Sequence, residues 1–300
     1  MTQQKLPHQQ LKAKAISFQK NKPLCELSTI GVGGVARYFV EVHTIEEMRQ
    51  ALLLCRENEW KYLIIGKGSN CLFDDRGYQG AVILNKIDFI EELDDGRFHV
   101  GAGFNFSLLG ARTARKGWAG LEFASGIPGS VGGAVFMNAG ANGSETCDAL
   151  ESVDFLDELG RLETIPREQL RFAYRYSPFH ERSGAIVGAT FKLQHAQEAR
   201  SRQIEIITYR KKTQPYGEKS AGCIFRNPDC GHAGALIEKS GLKGLRIGGA
   251  EVSDMHANFI VNTQGATAED VKQLIDAVRR EVKEKTGVDL ESEVRVIPYE

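Results

Sequence analysis

A mixed α+β fold in two parts is what the sequence predicts, with a larger part running to about residue 198 and a smaller one after it. Three observations lead there. The 300 residues suit about two domains. Strand-like runs and capped helices are interspersed, with no internal repeat and no low-complexity linker. Near residue 198 the pattern changes, from glycine-rich strands and hairpins to a heavily charged helix followed by short elements.

The elements read in order as follows. Thr44-Ile45-Glu46-Glu47 is a capping box, and Met48, Ala51, Leu52 and Cys55 follow at helical spacing. "YLII" (62–65) reads as a buried strand ending in "GKGSN" (66–70), and "AVIL" (81–84) as a second strand. "FIEELDDGRFHVGAG" is a hairpin turning at Asp95-Gly96. Ser107 to Lys116 reads as a helix with Leu108, Ala111 and Arg115 on one line; "SVDFLDELGRLETI" (152–165) is another hairpin and "AIVGATFKL" (185–193) another strand. Beyond the change, "EARSRQIEIITYRKKT" is a helix with Ile204, Ile207 and Tyr209 among its charges, and "AGALIEKSG" a short helix stopped by Gly241. "HANFIVN" (256–262) alternates like a strand. Thr267 opens the clearest helix, with Val271, Leu274, Ile275, Val278 and Val282 on one face and Gly287 at its C-terminal cap. "EVRVI" (293–297) closes the chain as a strand.

Composition narrows the function. With 38 basic residues against 39 acidic ones, nothing electrostatic favours nucleic acid or an anionic membrane. Any bound anion must be held by local geometry. The N-terminal stretch lacks the apolar core of a signal peptide and no run of 18 apolar residues follows, so the expectation is a soluble, cytoplasmic protein. The six cysteines are scattered without a C-x-x-C pair, which reads as free thiols. Cys223 and Cys230 lie near His232, but no second ligand pair accompanies them, and no metal site is expected.

Two stretches carry more glycine than turns require. One is "GKGSNCLFDD", directly after a strand; the other is "GLEFASGIPGSVGGAVFMNAGANG" (120–143). Glycine lets a backbone approach a ligand and turn its amides toward an anion, which is how a neutral protein holds a diphosphate. Ser69, Asn70, Ser130 and Asn138 can add neutral donors. Ordinary turns remain the plain alternative, chiefly for the first loop. Apolar residues interleave the glycines of the second, as in a buried segment winding against something flat. Neither loop is a Rossmann or Walker A fingerprint. A classical NAD or ATP fold is therefore disfavoured, while a dinucleotide ligand stays open.

"GKGSN", "GLEFASGIPGSVGGAVFMNAGA", "YRYSPF", "SAGCIFRNP", "HANFIVN" and "ESEVRVI" occur in that order. Together they resemble the UDP-N-acetylenolpyruvoylglucosamine reductases, and the likeness runs from about Leu27 to the C-terminus. The resemblance implies a two-subdomain FAD-binding region of the vanillyl-alcohol-oxidase (PCMH) type plus a C-terminal α+β substrate domain. Residues 1–26 are then an N-terminal extension, 27–197 the FAD-binding region split near residue 87, and 198–300 the substrate-binding domain. It further implies non-covalent FAD, NADPH as co-substrate, and reduction of UDP-N-acetylglucosamine enolpyruvate to UDP-N-acetylmuramate for peptidoglycan, with a monomer as the default. Little chain separates Arg175 from the helix near residue 198, which resembles the shorter class lacking an extra tyrosine loop.

By the same resemblance Arg175, Cys223 and Glu293 are the catalytic residues. A guanidinium is always charged and grips a carboxylate with two hydrogen bonds. Glu293 can act protonated, or through Arg175 and water, although Glu291 two residues away is a competitor that a strand would place on the same face. Cys223 stands where most of the family has serine, as donor of a proton to the carbanionic carbon. By itself the residue reads as an inert core thiol, a nucleophile or a proton donor, with half of a disulfide and a metal ligand the weaker readings. A thiol is a stronger acid than an alkyl hydroxyl, but a thiolate cannot donate, so loss of activity at high pH and oxidation are both expected risks. Cofactor binding falls to Gly66, Lys67, Gly68, Ser69 and Asn70, and to Ser125, Gly126, Ile127, Pro128, Gly129, Ser130, Gly132, Gly133, Asn138 and Ala139. Tyr174 and Asn227 are substrate-contact candidates. Lys211 and Lys212 can meet a diphosphate or merely form a solvated face. A flavin oxidase of the same fold explains the loops but not the catalytic trio, and a catalytically dead nucleotide-binding protein would not need to keep the trio.

Overall fold

Residues 16–300 are described by the structure, a computed structural model. A four-stranded sheet forms first, in the order Gln19–Pro23, Val35–Val42, Tyr78–Asn85, Tyr62–Ile65. The helix Ile45–Glu57 has the expected Thr44–Glu47 capping box and buries Met48, Ala51, Leu52 and Cys55. That apolar stripe packs on Val40, Val42, Ala81 and Ile83 of the sheet. Residues 1–15 of the expected extension lie outside the described residues. Its remainder is partly corrected: Gln19–Pro23 is an edge strand, antiparallel to Val35–Val42, and Leu24 beyond it is fully buried. Its polar composition hides it, because backbone pairing rather than side-chain burial holds an edge strand.

The first sheet ends at Asn85 and the second begins at Ile90. This second sheet is antiparallel throughout, in the order Leu162–Pro166, Leu150–Asp157, Gly184–Lys192, Arg97–Gly101, Ile90–Glu92. Asp95 and Gly96 both take positive φ, 61° and 71°, as a two-residue hairpin turn needs. Phe98, Phe104, Phe106, Leu109, Phe123, Phe155 and Phe191 make a continuous aromatic and aliphatic core under it. Helix Phe106–Arg115 buries Phe106, Leu109, Gly110, Thr113 and Ala114, so the line through Leu108, with Leu108 itself 41% exposed, faces outward. The second glycine stretch is less irregular than expected. Val131–Met137 is a helix whose N-cap Ser130 accepts from the Gly133 amide, two glycines being tolerated because Val131, Ala134 and Val135 are buried.

A third sheet, Ser220–Cys223, Phe259–Asn262, Ala250–Val252 and Arg246–Ile247, is covered by helices Ala233–Lys239 and Ala268–Thr286. "HANFIVN" is a strand only from Phe259, where Phe259, Ile260 and Val261 are all buried instead of alternating. Helix Ala199–Thr213 packs against helix Phe106–Arg115 rather than on this third core, leaving Ile204 and Tyr209 exposed.

Among the contacts that tie the last part of the chain to the first, two fix its path toward the site. Arg295–Ile297 pairs in parallel with Cys71–Phe73. Asp75, at the end of "GKGSNCLFDD", accepts from the amides of Ala268 at 2.8 Å and Glu269 at 3.1 Å, capping the long C-terminal helix from outside it. Asp75→Ala should therefore cost about 1 kcal/mol of stability, within the usual range for a lost N-terminal cap, as read from urea unfolding midpoints. Beside it, Asp74 is held well below the usual carboxylate range, chiefly by hydrogen bonds from Arg76 and then by Lys272. Its folded value lies below its unfolded value of about 3.9, so its contribution is complete above about pH 4 and lost as pH falls further. The stability gap between the parent and Asp74→Asn should thus shrink on acidification below about pH 4; a constant gap would contradict this.

Candidate active site

The arginine is presented by a tight turn. Ala173 and Tyr176 exchange backbone hydrogen bonds, and Arg175 between them has φ 56°, a left-handed conformation that costs about 1–2 kcal/mol for a non-glycine residue. Two buried side chains hold the turn there. Asn138 Nδ2 donates to the Ala173 carbonyl at 3.0 Å, and Ser177 Oγ donates to the Phe136 carbonyl at 2.6 Å. From this position Arg175 Nε donates to Glu293 Oε1 at 2.6 Å and Nη2 to the Gly140 carbonyl at 3.3 Å. Its guanidinium lies over the Tyr174 ring at 4.7 Å.

Glu293 arrives from the third unit, just before the closing strand. Its backbone N–H donates to the Ile224 carbonyl at 2.7 Å, and its carbonyl accepts from Asn70 Nδ2 at 3.2 Å. Burial pushes its carboxyl above the ordinary value despite the pull of Arg175. Glu291 does not compete. Its side chain is 80% exposed and meets only Arg226 at 3.8 Å, because the stretch before the strand is bridged at Ser292 to Phe225 and does not alternate as a regular strand would. Cys223 ends the strand Ser220–Cys223, next to Gly222 at φ 76°. Burial pushes its thiol up to about 12, with Glu293 adding to the rise and Arg175 and Arg210 opposing it. The expected loss of thiol protons at high pH is therefore displaced far above neutrality.

These three residues share a cavity of about 1040 Å³ with both glycine loops. Gly66 to Asn70, Gly126 to Ser130, Gly132, Gly133 and Ala139 line it, as does Asn227. Ser69 Oγ donates to the Pro128 carbonyl at 2.7 Å and so joins the two loops. The amides of Lys67, Gly68 and Ser69 have no acceptor among the described residues. A Cβ at Gly66 would overlap Ser130 Oγ, and one at Gly126, where φ is 86°, would overlap Tyr216 Oη. Unspent amides and walls without side chains fit a long, flat, partly anionic dinucleotide such as FAD.

Other expected residues have different places. Asn138 is fully buried outside the cavity lining; besides Ala173 it bonds Glu145 and the Cys147 amide, so it braces the arginine turn. Ser125 is buried off the lining, and its Oγ has no partner among the described residues. Tyr174 also lies off the lining, and its hydroxyl accepts from the Asn227 amide at 3.3 Å. Asn227 Oδ1 accepts from the Ala233 amide, so part of its polarity is spent on the chain itself. Lys211 and Lys212 are exposed and off the lining, as a solvated face. The same helix sends Tyr209 and Arg210 to the cavity instead. Tyr216 donates to the Gly126 carbonyl at 2.6 Å while accepting from Arg210 Nε at 2.9 Å. Nothing in the helical periodicity singles those residues out.

Two family models match separate stretches of the chain. Residues 36–165 fit the model of an FAD binding domain, and residues 214–297 that of the C-terminal domain of UDP-N-acetylenolpyruvoylglucosamine reductase. Over 283 residues the chain is 62% identical to the UDP-N-acetylenolpyruvoylglucosamine reductase of Protochlamydia amoebophila, covering 94% of this chain and 95% of that one. Its identity with the Chlamydia pneumoniae protein of the same name is 48%, covering 91% and 90%. The crystal structure of UDP-N-acetylenolpyruvylglucosamine reductase from Thermus caldophilus superposes with a TM-score of 0.79 at 39% identity, covering 94% of this chain and 100% of that one.

The protonated state of Cys223 is directly measurable. At pH 8, iodoacetamide should label the exposed Cys230 ahead of Cys223, and the Cys223 rate should still be rising beyond pH 10, as followed by peptide mass spectrometry. A Cys223 rate that levels off below pH 9 would contradict the burial argument.

Proposed function

The chain belongs to the UDP-N-acetylenolpyruvoylglucosamine reductase family, and from that premise we propose that Arg175, Glu293 and Cys223 carry its chemistry. The enzyme uses FAD and NADPH to reduce UDP-N-acetylglucosamine enolpyruvate to UDP-N-acetylmuramate, a step of peptidoglycan precursor synthesis. The observation that carries the residue assignment is the Arg175–Glu293 pair, placed with Cys223 in one cavity with both glycine loops. The reading includes a cytoplasmic site of action and a monomer as default. The cytoplasmic part is supported by NADPH as co-substrate; no helix among the described residues is long and apolar enough to cross a membrane.

Bound FAD supplies the two-electron relay between NADPH and substrate, with the free amides of Lys67 to Ser69 and the glycine walls as its cradle. Reduction of the enolpyruvyl double bond builds negative charge on the carbon beside the substrate carboxylate. Arg175 stabilises that charge as a permanent cation, its Nε spent on Glu293 and the remaining N–H groups directed by the turn. Glu293 orients Arg175, and burial makes its neutral form accessible, which reduces repulsion of the developing enolate. Cys223, neutral across the working pH range, then transfers its proton to the carbon; the resulting thiolate is stabilised by Arg175 and Arg210. Thr29, Ser220 and Asn227 line the same cavity and offer polar contacts to the nucleotide part of the substrate.

An anaerobic two-step absorbance trace tests both the reading and the proton donor. NADPH should bleach the yellow flavin, and UDP-N-acetylglucosamine enolpyruvate should restore it. Cys223→Ala should keep the first step and lose the second by at least about a hundredfold, in the range of a lost general acid, while Cys223→Ser retains measurable turnover. Normal reoxidation of the alanine variant by substrate would sink the assignment of Cys223.

A further inference from the structure

Arg295 is a cation with no acidic partner among the described residues, at the wall of a site where Arg175 and Glu293 are paired. Its side chain lines the cavity, yet it makes no ion pair and donates no hydrogen bond to any described residue. Its position is nonetheless well defined. The backbone N–H donates to the Asn70 carbonyl at 3.0 Å, residue 295 is in register with Cys71, and the guanidinium lies over the Phe136 ring at 4.7 Å. Asn70 belongs to the first glycine loop and Phe136 to the second. Arg295 therefore bridges the two loops, in the interval where a ligand held by both must lie. Glu293, two residues earlier in the chain, lines the same cavity.

We propose that Arg295 is a cofactor-tuning residue whose guanidinium faces the electron-accepting ring of bound FAD and stabilises the negative charge that the ring takes up on reduction. The assignment rests on the family reading above. A half-buried guanidinium facing a cavity is free to bond the acceptors of a ligand that enters it, in place of water. The acceptor can be the carbonyl and nitrogen edge of the ring or the diphosphate of the same cofactor. The ring is the better match, because electrons must reach a carbon within reach of Cys223 and Arg175, and Arg295 stands beside Glu293 at that end. The neighbouring Cys71 does not cancel the charge: burial pushes its thiol up to about 11, leaving it neutral. In a partly desolvated site one such cation favours the electron-rich state of the ring more than it would in water.

The test is the midpoint potential of the FAD-loaded protein, by dye equilibration, together with FAD affinity in both oxidation states. Arg295→Gln should lose at least tenfold in its preference for reduced over oxidised FAD, equivalent to about 30 mV for a two-electron couple. Arg295→Lys, which keeps the charge, should recover most of it. An unchanged potential in Arg295→Gln overturns the proposal, as does an equal loss of affinity for both oxidation states, which would mark a diphosphate contact. A Lys variant that falls as far as the Gln variant would place the effect in packing against Phe136 and also overturn it. Should Arg295→Gln bind FAD too weakly for dye equilibration, its affinities for oxidised and reduced FAD are read by titration with excess cofactor, and an unchanged ratio between them overturns the proposal. Failure of the family reading is separately visible, since the unsubstituted protein would then hold no FAD or would not be bleached by NADPH.

Discussion

The site depends on one buried ion pair whose members lie 118 residues apart in the chain, Arg175 and Glu293. Each charge costs several kcal/mol to remove from water, and their attraction repays that only with good geometry and further hydrogen bonds. The chain meets both conditions. The contact is 2.6 Å, Arg175 has a second acceptor at Gly140, and the backbone of Glu293 is fastened to Ile224 and Asn70. The pair is thus also a joint. It connects the turn built on the second sheet to the segment that returns from the third unit onto the first.

Several apparently unrelated features serve that joint. Arg175 takes a left-handed backbone because Asn138 and Ser177 hold the turn on both sides. Glu293 reaches it because Arg295–Ile297 pairs with Cys71–Phe73, and Asp75 caps the helix that precedes this return. The consequence for chemistry is electrostatic. Glu293 and Arg175 oppose each other in setting the proton affinity of Cys223, and burial decides the outcome in favour of a neutral thiol. A cysteine in this position is then kept a neutral thiol by its environment, in place of the reactive thiolate that lies within reach of an ordinary cysteine.

The glycine loops do the complementary work of leaving space. Gly66 and Gly126 sit where any Cβ would collide with Ser130 or Tyr216, so the walls are made of backbone. Tyr216 and Arg210, from the segment leading into the third sheet, clasp the second loop through the Gly126 carbonyl. The two glycine loops, the arginine turn and the strand end at Cys223 consequently meet at one cavity, although each comes from a different stretch of chain.

Much of this was legible in sequence. Capped helices, the Asp95-Gly96 hairpin and the apolar stripe after Thr267 are local: side-chain period, cap and turn chemistry act over a few residues. The ordered motifs pointed to the cofactor loops and to Arg175, Cys223 and Glu293 through family resemblance. The sequence did not reveal that Gln19–Pro23 is an edge strand, that Asn138 braces a turn, that Glu291 faces solvent, or that Arg210 and Tyr216 reach the second loop. Each is decided by partners far away in the chain. Local pattern therefore determined which elements form and which residue types can do the chemistry. Only the tertiary structure decided which polar groups are spent on the fold and which remain for a ligand, because a hydrogen bond is satisfied by proximity in space and leaves no period in the sequence.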